Sequence, residues 1–143
     1  MRGVVLLRGH GRSELVFGQP CKESELEHEV LVTEAELLLG PLERGVRVGR
    51  AIADGLLTRG KNRFYVEVDN HTLTTKQMRE KWREYGKVDG FILVICHSKA
   101  RLRRLMRGAS AVRDAALFAL FRWLRYRNVR ERWVDWTFAR ASV

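Results

Sequence analysis

The chain has only two cysteines, Cys21 and Cys96. Two thiols are too few for a disulfide framework or a zinc cluster, and they suit a reducing, cytoplasmic setting. Cys96 sits in the apolar run FILVIC and reads as a small buried hydrophobe. No apolar stretch approaches the roughly 18 residues needed to cross a bilayer, so no membrane partner is expected. Met1–Arg12 holds only the short run Val4–Leu7, too brief for a signal peptide. Several catalytic signatures are also missing: no GxxxxGK[ST], no GxGxxG after a strand, and no Ser-His-Asp arrangement that can be placed. With no repeat, linker or low-complexity run, the 143 residues read as a single domain spanning 1–143.

Negative charge is scarce in the C-terminal half. From His97 to Trp133 there are ten arginines and one lysine against only Asp114 and Glu131. From Cys21 to Glu43 the balance reverses, with seven glutamates facing Lys22 alone. The net charge of +10 calls for a polyanionic partner, and a membrane-surface peptide would have no use for the acidic part, so nucleic acid, DNA or RNA, is expected. Lys99, Arg101, Arg103, Arg104 and Arg107, with Arg122 and Arg125 further on, read as phosphate contacts interleaved with aromatic residues.

Residues 3–7 and 13–17 read as a hairpin with His10 at its tip, so 1–20 forms an N-terminal unit. Ser24-Glu25-Leu26-Glu27 is a capping box opening a helix that stops at Gly40-Pro41. His28 falls beside that helix's apolar stripe and reads on spacing as a structural histidine. VRVGRAIADGLL reads as one strand and RFYVEVD as the next, joined by Thr58–Asn62. Thr74-Thr75-Lys76-Gln77 caps a second helix with Met78, Trp82 and Tyr85 inward. Gly90–Cys96 reads as a buried central strand, Ser98 caps a basic helix, Ala111–Tyr126 reads as a longer helix, and WVDWTF as an edge strand. The order predicts an α/β fold: a mixed sheet flanked by helices, with its core over 24–125 and a basic extension over 126–143.

Asp54 closes the first strand of the central hairpin, and Glu67 and Asp69 share one face of the second. If the turn holds about five residues, Asp54 falls opposite Val66 to Glu67, and Gly55 could mark a bulge that re-aims it. Three converging carboxylates repel one another unless neutralised, and an oxygen-only set suits Mg²⁺ or Mn²⁺, with the Val68 carbonyl as a further donor. Alternation alone equally makes Glu67 and Asp69 the solvated face of a strand, paired with Arg63 or Lys61. Lys81, beside the Met78–Tyr85 stripe, could snorkel along the core edge or reach the carboxylates.

The pattern Ala53-Asp54, twelve residues, then Glu67-Val68-Asp69 resembles the PD-(D/E)xK nuclease superfamily, whose restriction-endonuclease-like core runs α-β-β-β-α-β. FYVEVDNHTLTTKQMREKWREYGKVDGFILVICHSKARLRRL is similar to the nuclease-like part of the plasmid replication-relaxation family, through Glu67, Asp69, Thr72, Lys81, Tyr85, Phe91–Cys96 and Arg101. Ala53 replaces the usual proline, and Asp69 stands where the superfamily has its lysine. The resemblance implies a Mg²⁺-dependent endonuclease acting on duplex or branched DNA in plasmid or mobile-element replication. Asp54, Glu67 and Asp69 would hold the metal, Lys81 would take the lysine's role, and Glu27 or His28 would assist from the first helix. The alternative is a catalytically silent DNA-binding module of the same kind of system; either is compatible with a homodimer.

Overall fold

The computed structural model describes residues 23–137, so the expected N-terminal hairpin with His10 lies outside the described residues. The chain forms α1 (Glu23–Leu39), β1 (Glu43–Val48), β2 (Ala51–Arg59), β3 (Asn62–Val68), α2 (Thr75–Tyr85), β4 (Phe91–Cys96), α3 (Lys99–Gly108), a 3-10 turn (Ser110–Val112), β5 (Ala116–Leu120), α4 (Phe121–Tyr126), a second 3-10 turn (Val129–Glu131) and β6 (Val134–Asp135). The six strands make one mixed sheet in sequence order. β1, β2 and β3 run antiparallel, β3, β4 and β5 run parallel, and β6 closes the edge antiparallel to β5. This is the mixed α/β fold expected from the sequence.

Local chemistry sets several of these boundaries. α1 ends at Gly40, whose φ of 107° favours a residue without a side chain. The capping box at α2 forms: Gln77 N donates to Thr74 Oγ1, and Thr74 N donates to Gln77 Oε1 at 2.8 Å. Ser98 caps α3 by accepting from the Arg101 N–H. Ile92–Cys96 are all buried although successive side chains point to opposite faces, so both faces of the sheet are covered. α2 and α3 pack on each other, while α1 lies across β2 and β3 and touches α4.

Four expectations need correction. VRVGRAIADGLL is two strands, because Gly49 at φ 60° and Arg50 turn the chain between β1 and β2. The β2–β3 turn is two residues, Gly60-Lys61, with Arg59 paired to Asn62. Gly55 makes no bulge: it pairs regularly with Arg44 and with Val66, and it is glycine because an added Cβ would lie 2.9 Å from Leu42 Cδ1. Ala111–Tyr126 is not one helix. Its centre, ALFAL, is β5, which sits beside β4 in a slot buried on both sides, where an all-apolar segment needs no polar face.

Candidate active site

β3 and α2 build the centre of the site. Glu67, near the end of β3, is 4 % exposed, and so is not the solvated strand position that alternation allowed. α2 supplies both its donors from one stripe, since residues four apart on a helix are neighbours. Lys81 Nζ is ion-paired with Glu67 Oε1, and the Tyr85 hydroxyl donates to Glu67 Oε2 at 2.5 Å. Burial, with the nearby Asp54 charge second, pushes the Glu67 carboxyl up to about 7; Lys81 and Tyr85 act in the opposite direction. The phenol of Tyr85 is raised far above its ordinary value, by burial first and by the neighbouring Glu67 second, so it stays a donor.

β2 brings Asp54 to the same place. Strand pairing runs to Gly55 opposite Val66. One step beyond, the Val68 N–H donates to Asp54 Oδ2 at 2.7 Å. His28 of α1 approaches the other oxygen, with Nε2 3.1 Å from Asp54 Oδ1. That hydrogen bond raises the imidazole's pKa, against the effect of burial, and the charges of Asp54 and Glu67 add to the rise. His28 is thus a partner of the acidic centre as well as a boundary residue of α1. Glu27, expected alongside it, is exposed and lines no part of the cavity.

Asp69 departs from its expected role. It is buried, but both its oxygens accept from Arg101, Oδ2 from Nε and Oδ1 from Nη2, each at 2.8 Å. This bidentate pair ties the end of β3 to α3, and Arg101 Nη2 also reaches the Leu73 carbonyl. Arg101, expected as a phosphate contact, is buried in this clamp. Arg125 is ion-paired with Glu34 of α1. Of the other expected phosphate contacts, Lys99, Arg104, Arg107 and Arg122 are exposed and Arg103 is half-buried.

His28, Asp54, Glu67, Asp69 and Lys81 line one cavity of about 240 Å³, walled also by the Asn70–Leu73 loop. In that loop His71 holds a φ of 66°, uncommon for a residue with a side chain, and Thr72 Oγ1 donates to Asn70 Oδ1 at 2.7 Å. Sequence reasoning named Tyr85 through the resemblance and Arg101 also as a phosphate contact, but missed that each donates to a buried carboxylate. A tyrosine on a buried stripe needs a partner for its hydroxyl, and Tyr85 falls one turn after Lys81, which was the available signal. Arg101 lies one turn before the buried Leu105, which places it on the inner face of α3.

These features define an α/β protein with a buried acid–lysine–tyrosine cluster at the carboxyl end of its parallel strands, where ligand sites of open α/β sheets fall. Comparison with family models, curated proteins and solved structures gives no match in any of the three.

Proposed function

We propose that this chain is a DNA-binding, Mg²⁺-dependent phosphodiesterase of the restriction-endonuclease-like kind, working in the cytoplasm in plasmid or mobile-element replication. The observation that carries the reading is the convergence of Asp54, Glu67, Lys81 and His28 on one cavity. The element order α1-β1-β2-β3-α2-β4 is the order the resemblance to that superfamily implies, and it supports the same conclusion. The cytoplasmic placement rests on cysteine usage; among the described residues no helix is long and apolar enough to cross a membrane.

The donor set fits a hard divalent cation through two carboxylates. Asp54 and Glu67 offer oxygen to the cavity, and Mg²⁺ is commonly held by one or two carboxylates together with waters and substrate phosphate. Asp69 does not fit, because a buried bidentate arginine pair neutralises it, whereas an ion at Asp54 and Glu67 would take the place of the His28 and Lys81 contacts. Among the described residues no group of three or more His, Cys, Asp or Glu forms a metal-binding cluster, so these two acids would act without a protein cage. Once bound, such an ion makes a water more acidic and stabilises charge on a phosphate. Lys81 contributes a positive charge at the cavity wall, where it can orient the attacking water or neutralise the scissile phosphate. His28 holds a proton against Asp54 and can give it to the leaving oxygen.

A second reading, the catalytically silent DNA-binding module, is favoured by one observation. Every oxygen of Asp54, Glu67 and Asp69 already has a donor within the chain. Supercoiled plasmid incubated with Mg²⁺ separates the two. The hydrolase nicks it, and Glu67→Gln abolishes nicking while DNA binding persists. Binding without nicking by the wild type would establish the silent module.

A further inference from the structure

A second groove begins where the cavity ends. It lies between α2 and the β1–β2 turn and encloses about 760 Å³, within the range of about 300–1,000 Å³ usual for ligand sites. Lys81 and Leu73 line both spaces, so the groove continues the cavity. Its walls carry Arg50, Lys81, Arg83 and Lys87 against Glu80 and Glu84, an excess of positive charge. Arg50 and Arg83 are exposed. Glu84 is occupied in holding the wall together: it accepts from the Arg50 N–H at 2.8 Å and from Lys87 Nζ at 2.7 Å. Gly49 permits this close approach, since a Cβ there would lie 2.7 Å from Glu84 Oε1. Ile52, half exposed in the groove, adds an apolar surface beside the charges.

We infer that this groove is the track for a single DNA strand leading away from the phosphate held at Lys81, with Arg50 and Arg83 contacting its backbone. The inference rests on the DNA-binding reading above. The cavity is large enough for a reacting phosphate and little more, so flanking nucleotides must lie elsewhere. Of the basic residues on the other elements, Arg101 is held by Asp69, Arg125 by Glu34 and Arg127 lies over the Trp123 ring at 4.2 Å, while the exposed Lys99, Arg104, Arg107 and Arg122 line neither the cavity nor the groove. The groove adjoining Lys81 keeps two exposed guanidinium groups beside a greasy wall, which suits sugar–phosphate backbone and base together.

The test is fluorescence anisotropy with a labelled single-stranded oligodeoxynucleotide of about 12 nucleotides, within the span of single-strand sites. It is run in chelator, so that binding is read without hydrolysis. Arg50→Glu with Arg83→Glu should weaken binding at least about tenfold and flatten the dependence of log K on log salt by about 1.4, two phosphate contacts being lost. Lys61→Glu with Arg63→Glu makes the same charge change at the opposite end of β3 and should leave affinity within about threefold. A benzophenone placed through Ile52→Cys should crosslink to the strand, whereas one at the exposed Leu37 of α1 should not. Wild-type affinity in the groove variant, equal losses in both charge-reversed pairs, or no oligonucleotide binding by the wild type would each overturn the track. A wild type that binds through the groove yet never nicks plasmid would sink the hydrolase reading alone.

Discussion

Glu67 carries an unusual electrostatic load for one side chain. Its carboxyl, raised from 4.5 to about 7, is neutral in the folded protein at pH values where the unfolded chain has ionised it. Below the unfolded value the acid is protonated in both states and burial carries no charge penalty. Between the unfolded value and about 7 the unfolded chain ionises while the folded acid stays protonated, so stability falls by an amount on the order of 3 kcal/mol, a loss that is complete once the folded carboxyl ionises. His28 acts in the same sense: its raised pKa stabilises the fold below the ordinary imidazole value, and that gain is lost as pH rises through the folded value. Thermal melts between pH 5 and pH 8.5 should therefore show Tm declining through neutrality. Glu67→Gln should remove most of that decline, because an amide has no charge to bury. A wild-type Tm that rises across the same window would refute the assignment of a buried, protonated acid. Alternation correctly placed Glu67 and Asp69 together, but it could not say that the shared face was buried. That depended on α2 and α3 covering it, a tertiary fact invisible in a strand of seven residues.

Among the elements, those with strong local chemistry were legible and those made by context were not. α2 and α3 announce themselves through Thr74 and Ser98, whose side chains cap them as their spacing predicts. β4 is legible as an unbroken apolar run. β5 was hidden, since alanine and leucine are good helix formers and ALFAL has no alternation; its slot beside β4 decides. The residues of that region that a helix would turn inward are buried all the same, apart from the half-buried Ala115. Val112, Ala116, Ala119, Leu120, Trp123 and Leu124 are buried, because burial follows apolarity whichever element carries it. The Asp69–Arg101 clamp couples three of these elements: it fixes the end of β3 to α3 and reaches the loop before α2. Arg101→Ala would strand a buried carboxylate and should destabilise by about 3–5 kcal/mol. Adding Asp69→Asn to Arg101→Ala should recover part of that loss, since an amide tolerates burial without a counter-charge. Urea denaturation of the four proteins in the cycle measures both; full additivity would show that the two side chains do not interact.

For the whole molecule, the proposed cation and the global fold are linked through the same protonation. A net charge of +10 repels divalent cations from the surface, so their affinity must come from local carboxylates. Near pH 6 the Glu67 carboxyl is mostly protonated and a cation must displace that proton; near pH 8.5 the carboxylate is already ionised, and Lys81 and Tyr85 offset only part of the cost of its burial. A ligand that binds only the folded state raises stability by RT ln(1 + [L]/Kd), so its effect grows as its apparent Kd falls. Millimolar Mn²⁺ should therefore raise Tm more at pH 8.5 than at pH 6, restoring much of the stability lost as Glu67 ionises. Glu67→Gln should abolish the Mn²⁺ effect at both pH values while keeping the fold. Ca²⁺, which takes the same oxygen donors, should stabilise without supporting plasmid nicking. If Mn²⁺ leaves the wild-type Tm unchanged even at pH 8.5, Lys81 and Tyr85 alone satisfy Glu67, no cation belongs in the cavity, and the silent DNA-binding module becomes the function of this fold.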